Sequence, residues 1–235
     1  RFDGAKPSRG DTLFLESSGV FSTVAPTAQG NGGTVEITAA GLEVLNGAQL
    51  VTTVLGEGDG GDLILTIRDT ARFEGTRSDG LTSVASSGIQ PGGRGDGGRL
   101  EVTATNLEVL GGAQLFSTTF GEGDAGDITL RIFDTARFDG SFQDNPSTVA
   151  TSIAANAQGN SGNLGISATT LQVLDGAQIN ARSLGIGDAG NITLDIMETA
   201  RFDGRREDSL SASGIETNTN EAATGNGGEL RLSAN

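Results

Sequence analysis

The stretch that decides the fold spans residues 95–158 and begins GDGGRLEVTATNLEVLGGAQLFSTTFGEGDAGDITLRIFDTARFDG. Its segment LEVLGGAQL at 107–115 recurs as LEVLNGAQL at 42–50 and as LQVLDGAQI at 171–179. The copies are offset by 107 − 42 = 65 and 171 − 107 = 64 residues. A period held this closely indicates one structural unit copied along an axis. We therefore divide the chain into units 30–94, 95–158 and 159–224, with partial units at 1–29 and 225–235, and expect a piece of a longer array.

Each unit consists of two related halves, which we call half-units. A four-residue turn, glycine followed by Asn or Asp, any residue and glycine, begins at residues 30, 58, 95, 123, 159, 187 and 225. After each turn apolar residues alternate with polar ones, as at Leu63, Leu65 and Ile67, which is typical of half-buried strands. A third strand is predicted to begin at Leu50, Leu81, Leu115, Val149, Ile179 and Leu210.

Three short strands in about 28 residues match one rung of a parallel β-helix, in which each strand pairs with its equivalent in the next rung. The predicted fold class is therefore all-β, a single parallel β-helix (solenoid) of about seven rungs with three short strands per rung. We expect an interior column in which phenylalanines alternate with leucines: Phe73, Phe138 and Phe202 with Leu45, Leu110 and Leu174.

Composition excludes several classes of function. The absence of His, Cys, Trp and Tyr removes histidine and thiol catalysis, histidine or cysteine metal sites, and disulfides. The formal net charge of −15 argues against nucleic acid or an anionic lipid surface as a partner, because phosphate binders need a basic face. No apolar run approaches the ~18 residues of a transmembrane helix, so we expect no membrane insertion.

Four arginines are themselves periodic and are expected to form an exposed row of ion pairs worth a few tenths of a kcal/mol each. These are Arg1, Arg72, Arg137 and Arg201, which we expect to lie beside Asp69, Asp134 and Glu198.

Extra length falls at two places in the longer half-units, after the Phe segment (76–80, 141–146, 205–208) and after the third strand (86–93, 154–158, 216–224). These insertions vary while the strands do not, so they are predicted to line up along one edge. Loops on a rigid scaffold are also the usual place for binding. The candidate interaction residues there are Arg77, Asp79, Phe142, Asp144, Arg205, Arg206, Glu207 and Asp208. The alternative is that the insertions are spacer loops without a ligand.

The repeated turn places Asn or Asp in one register, and two interpretations are open. Each side chain caps its own turn by accepting a backbone N–H, in which case no cofactor is needed. Alternatively, stacked carboxylates hold calcium, although calcium-binding glycine-aspartate turns repeat every nine residues rather than every 28 to 38. The calcium ladder would use Asp59, Asp62, Asp96, Asp124, Asp127 and Asp188.

A third interpretation is enzymatic, because β-helix enzymes act on acidic polysaccharides through paired carboxylates. The acidic residues outside the repeat are Glu207, Asp208, Glu216 and Glu221, and we assign no catalytic residue.

The units GNGGxVxIT, LEVLNGAQL and GEGDAGDITL resemble the repeats of filamentous haemagglutinin-like exoproteins of two-partner secretion systems, particularly the cyanobacterial ones. The resemblance covers nearly the whole chain. It implies a right-handed β-helix, secretion through an outer-membrane partner of a Gram-negative-type bacterium, and a role in adhesion or in the cell-surface layer. The Asn-Pro-Asn-type motifs of the secretion domain are absent, since the chain has only Asn145-Pro146.

We therefore expect a non-enzymatic, secreted structural or adhesive shaft of a large cell-surface exoprotein, with loops along one edge. Its expected partners are neighbouring rungs or other copies of itself, and host, matrix or surface glycans. The alternatives are an extracellular filament or sheath subunit that assembles with itself, and a polysaccharide-active enzyme.

Overall fold

The computed structural model describes residues 1–4, 18–77, 79–143, 145–205, 212–221 and 223–234. These residues form strands, turns and irregular segments without a helix. Accordingly, none of them belongs to a helix long and apolar enough to cross a membrane. The predicted all-β class is confirmed.

The strands form two large sheets and one small one, numbered here in chain order. The 12-stranded sheet contains β1 (Phe2–Asp3), β3 (Val35–Ala39), β4 (Leu42–Leu45), β6 (Leu63–Ile67), β7 (Thr70–Glu74), β9 (Leu100–Ala104), β10 (Asn106–Leu110), β12 (Ile128–Ile132), β13 (Thr135–Asp139), β17 (Leu164–Leu174), β19 (Ile192–Asp203) and β21 (Leu230–Ala234). The seven-stranded sheet contains β2 (Gly19–Val24), β5 (Gln49–Val54), β8 (Val84–Ile89), β11 (Gln114–Thr119), β16 (Thr148–Ile153), β18 (Gln178–Ser183) and β20 (Gly214–Thr219). A small hairpin pairs β14 (Ser141–Phe142) with β15 (Asn145–Pro146).

All pairing in the two large sheets is parallel and joins equivalent strands of successive half-units. In the seven-stranded sheet, Leu115 of β11 lies between Ala85 of β8 and Val149 of β16. In the 12-stranded sheet, Leu130 of β12 lies between Val102 of β9 and Ile166 of β17. The expected pairing of strands with their copies, rather than with their neighbours in the chain, is confirmed.

The alternating apolar side chains face a common interior. Buried aliphatic residues of both sheets, such as Leu65, Leu115 and Val149, belong to one continuous cluster. Since parallel strands with one face in the core show this alternation, the period of two in the sequence follows directly from the packing.

The interior column of aromatic residues differs from the prediction in its aliphatic members. Phe73 pairs with Val44 and Val109, while Leu45 pairs with Glu74 and therefore points away from the core. The same shift puts Val173 rather than Leu174 beside Phe138. The long half-unit has one more residue between its first two strands, so counting a fixed distance from the turn glycine misplaced the leucines. The column therefore alternates Phe73 and Phe138 with Val. Phe202 pairs with Val173 in the same register but is 38% exposed, because among the described residues this part of β19 pairs only with β17, so its predicted burial is wrong.

The third strand begins later than predicted in two long half-units, at Val84 and Gly214, whereas β16 begins at Thr148, next to the predicted Val149. Leu50 pairs with Ala85, so β8 starts at Val84 and Leu81 belongs to the preceding insertion. Residues 86–89, predicted as part of a loop, complete β8 because they pair with strands on both sides. Glu216 likewise lies within β20, while Leu210 lies outside the described residues.

Candidate functional site

The turn residues that the sequence singled out form a continuous chain of hydrogen bonds, which we call the first Asx ladder. In each step, Oδ1 of one residue accepts the backbone N–H of its equivalent in the next half-unit, at 2.6 to 3.1 Å. The prediction that each side chain caps its own turn is therefore wrong, because the N–H that it binds belongs to another turn. The carboxamide or carboxylate caps the following turn and joins the two half-units. The ladder consists of Asn31, Asp59, Asp96, Asp124, Asn160, Asp188 and Asn226.

A second Asx ladder lies three residues further along. Asp127 accepts the N–H of Asn163 at 2.6 Å, and Asn163 accepts that of Asn191 at 3.1 Å. Asp62 accepts the N–H of Arg99 at 2.8 Å. An arginine side chain has no acceptor atom, so the side-chain ladder is interrupted at Arg99.

The glycines of the turn are required by how closely the half-units approach. A Cβ atom at Gly123 would overlap the carbonyl oxygen of Gly95, and one at Gly126 would overlap that of Gly98. Gly123 also has φ of 133°, which non-glycine residues rarely adopt. Backbone N–H groups of the turn then reach the next half-unit directly, as in Gly97 N–H to Asp124 O at 2.8 Å.

The electrostatics of the ladders are dominated by one ion pair. The guanidinium of Arg99 lies 2.8 Å from Asp62 Oδ2 and, mainly through this hydrogen bond, lowers the pKa of Asp62. The same contact raises the pKa of Arg99. Within the part of the chain that the structure describes, no three acidic side chains converge in a group that could hold a metal ion. The calcium ladder remains an untested prediction, and its Oδ1 atoms already accept backbone N–H groups.

A set of serines, missed by the sequence reasoning, joins the short half-units to the long ones. Ser83 and Ser147 are buried, and Ser213 is half-buried. Ser147 Oγ accepts the N–H of Gly112 at 3.0 Å and donates to the carbonyl of Asp139 at 2.7 Å. Ser83 and Ser213 make the same two contacts in their own units. Their spacing, 147 − 83 = 64 and 213 − 147 = 66 residues, is a signal that the sequence contains.

A second polar column lies inside the seven-stranded sheet. Ser87 donates to the carbonyl of Gly98 at 2.6 Å, and Thr151 donates to that of Gly162 at 2.6 Å. Ser117 accepts the N–H of Gly126 at 2.8 Å. These hydroxyls satisfy backbone groups of the turn glycines, which explains polar residues on a buried face.

The candidate interaction loops emerge at one position of the repeat. Each begins with an antiparallel pair between the second and third strands: Thr76 with Thr82, Phe142 with Asn145, and Arg205 with Ala212. Asp79 accepts a hydrogen bond from Arg77 Nε at 2.9 Å, and this partner lowers the pKa of Asp79 to about 2. The candidates Asp144, Arg206, Glu207 and Asp208 lie outside the described residues.

The periodic arginines pair differently from the prediction. Arg72 binds Glu74 and Glu108, and Arg137 binds Asp139. Side chains two residues apart on a strand point to the same side, so the acidic residue at i+2 is closer than those in the preceding bend. Arg201 follows the same rule with Asp203, at 2.5 Å.

These contacts are structural in character, since they connect successive half-units through backbone groups. Comparison of the chain with known protein families, curated proteins and solved structures finds no match.

Proposed function

We propose that the chain is a right-handed parallel β-helix of about seven rungs that serves as a non-enzymatic structural or adhesive shaft. Each rung would correspond to one half-unit with its three strands. The shaft would present the insertions after the second strand along one edge, with Asp79, Phe142 and Arg205 among the presented residues. Its immediate partners would be further rungs of the same array.

One observation carries this proposal, namely that each half-unit is joined to the next by the same kinds of backbone and side-chain contacts. Backbone ladders and both Asx ladders connect a residue to its equivalent 28 to 38 positions away. The serines join each long half-unit to the short one before it. A repeat protein of this kind has a stability set by contacts between neighbours, so its length can grow by adding units without changing the rest. That property suits a spacer that holds a binding element away from a surface.

The secreted location rests on the resemblance of the repeats to those of filamentous haemagglutinin-like exoproteins. On this proposal the protein lies outside the cell or on the outer surface of a Gram-negative-type bacterium. Surface biotinylation of intact producing cells should label the protein. Labelling that requires lysis would contradict the location while leaving the shaft proposal intact.

The shaft proposal is tested by changing the number of units. Duplicating residues 95–158 adds two half-units, so the maximum dimension measured by small-angle X-ray scattering should increase by about 10 Å at strand spacings of ~4.8 Å. A duplication of 45 residues, which does not match a unit, serves as the control and should lower the melting temperature. An unchanged dimension after the matched duplication would contradict the proposal.

A second candidate, a subunit that assembles into filaments, is favoured by one feature of the fold. Phe133 and Met197 lie at equivalent positions of successive long half-units, and their side chains are 67% and 58% exposed. Exposed apolar side chains that recur along one line offer a surface for association with another chain. Sizing and negative-stain imaging distinguish the two, because a filament subunit polymerises while a shaft of this length stays a short rod.

A further inference from the structure

A shallow groove of about 280 Å³ lies on the outer face of the seven-stranded sheet. We call it the outer groove. It crosses β11, β16 and β18, and Pro146 of the small hairpin forms part of its wall. Its lining includes the amides of Gln114, Gln178 and Asn180 and the aromatic rings of Phe116 and Phe120.

Asn180 is the unusual residue of this groove. Its neighbours in β18, Ile179 and Ala181, belong to the core, so the alternation of the strand points Asn180 outward. Nevertheless Asn180 is only 2% exposed. Its Nδ2 donates to Gln178 Oε1 at 3.3 Å, whereas its Oδ1 has no hydrogen-bond partner among the described residues.

A buried hydrogen-bond acceptor without a partner destabilises a protein, because on folding the atom loses its hydrogen bonds to water and forms none within the protein. The repeat does not demand an amide here. The equivalent positions in the two preceding half-units are Ala150 and Phe116, both of which avoid this cost. Asn180 thus provides an acceptor at the floor of a groove, available to a donor that enters it.

The remaining lining indicates the chemistry of that donor. Gln114 and Gln178 carry amides, each with both donor and acceptor atoms, and Thr148 lies between their strands. Phe116 and the 43% exposed Phe120 provide apolar surface beside these groups. Small-molecule sites combine an apolar surface with a few convergent polar groups in this way. A sugar ring has the matching properties, since its hydroxyls donate and accept while its C–H faces are apolar.

The charges favour an uncharged ligand. The single charged residue of the lining is Arg182, and Glu216 on the adjacent strand lies 3.8 Å from it. The chain as a whole has a formal net charge of −15, which repels polyanions.

We propose that the outer groove binds a neutral oligosaccharide, with one sugar hydroxyl donating to Asn180 Oδ1 and the amides of Gln114 and Gln178 bonding its neighbours. The inference goes beyond the proposed shaft and does not depend on it. A shaft without this site, or this site on a protein with another role, would both be consistent with the fold.

The test is a titration of the protein with defined hexasaccharides, followed by amide chemical shifts in NMR spectra. Cellohexaose, maltohexaose and mannohexaose are the neutral probes, and hexagalacturonate is the acidic one. At least one neutral probe should bind saturably and shift signals of β11, β16 and β18. Binding of hexagalacturonate alone, or of none of the four, would overturn the proposal.

Asn180→Ala tests the floor of the groove, with Asn218→Ala as the matched control on the exposed outer face of β20. Asn180→Ala should weaken the neutral probe about tenfold or more, as expected for a lost buried hydrogen bond, without lowering the melting temperature. Asn218→Ala should change neither. If Asn180→Ala binds as well as the wild type, or if it lowers the melting temperature, Asn180 has a structural role and the proposal is wrong.

Discussion

At the residue scale, the turn position shows how one side chain connects two copies of a unit. Asp96, Asp124 and Asn160 follow one another in the first Asx ladder, and each accepts the N–H of the next. The residue type at this position was predictable from the sequence, because only Asn and Asp occur there. The partner was not, because an Asx side chain can cap its own turn or the adjacent one, and only the stacking distance decides which.

Asp124→Ala should lower the free energy of unfolding by about 0.5–1.5 kcal/mol, because the N–H of Asn160 loses its acceptor at 2.6 Å. Asp124→Asn is the matched variant. It keeps an oxygen in the same place and removes a negative charge next to Asp96, so its stability should equal or exceed that of the wild type. Urea denaturation followed by circular dichroism measures both. Equal destabilisation by the two variants would show that the charge, not the acceptor, matters.

The buried serine at position 147 allows a second test at this scale. Ser147→Ala should cost about 1–3 kcal/mol, since it leaves the Gly112 N–H and one acceptor site of the Asp139 carbonyl without their partner. Ser167→Ala is the control, because the hydrogen bond from the Ser167 hydroxyl to Leu130 O is long, at 3.5 Å. Thermal unfolding monitored by calorimetry should show a clear decrease for the first variant and little change for the second.

The ion pair between Asp62 and Arg99 predicts a dependence of stability on pH. Because the pKa of Asp62 is lowered in the folded state, its contribution is present above the unfolded value of about 3.9 and is lost as pH falls through the lowered folded value. Arg99 is 61% exposed at its side chain, so solvent screens the pair and we expect a small contribution. The difference in unfolding free energy between wild type and Asp62→Asn should therefore favour the wild type at pH 7 and decrease as pH falls below the unfolded value of about 3.9. A difference independent of pH would rule out the ion pair as its source.

At the scale of the element, the spacing of the strands fixes the glycines. The turn glycines are needed where successive half-units touch, whereas Gly165 within β17 has no atom near the place a Cβ would occupy. Both positions are glycine, and they differ only in the atoms that surround them. The sequence alone therefore could not show which of the two glycines is required.

Gly126→Ala should destabilise the protein by more than about 1 kcal/mol, because the new Cβ overlaps the backbone carbonyl of Gly98. Gly165→Ala should leave stability unchanged or raise it by about 0.4–1 kcal/mol through the lower entropy of the unfolded chain. Parallel urea titrations of the two variants provide the comparison. A more stable Gly126→Ala variant would show that the turns of successive half-units do not touch as described.

One prediction about the second strand, that Leu45 faces the core, was wrong. In LEVL at 42–45, Leu42, Val44 and Leu45 are all apolar, so the sequence is compatible with either Val44 or Leu45 facing the core. The structure chooses Val44 for the core, since the strand pairs Leu45 with Glu74 on the outer face. The bend of the long half-unit contains one extra residue, and this residue determines which side chain of the next strand faces the core. The segment is too short for the position of one extra residue to be located from the sequence.

At the scale of the whole molecule, the turn that recurs every 28 to 38 residues was sufficient to predict which strands pair. Long-range parallel pairing usually cannot be deduced from one sequence, but copies of a unit that cannot bury its apolar face alone must stack on one another. The outer groove was not predictable in the same way. It depends on where equivalent positions differ, as Phe116, Ala150 and Asn180 do, and the search for repeats averages such differences away.

The stacking of consecutive copies is tested most directly by one distance between spin labels, since the chain contains no cysteine to interfere. Glu36 and Thr193 occupy the same position on β3 and β19, and Ile64, Glu101, Thr129 and Gly165 lie between them, one on each intervening strand. With labels on cysteines at 36 and 193, pulsed electron spin resonance should give a narrow distribution near five strand spacings, about 24 Å. A broad distribution, or a maximum far from this distance, would contradict the parallel stacking on which the fold and its proposed functions rest.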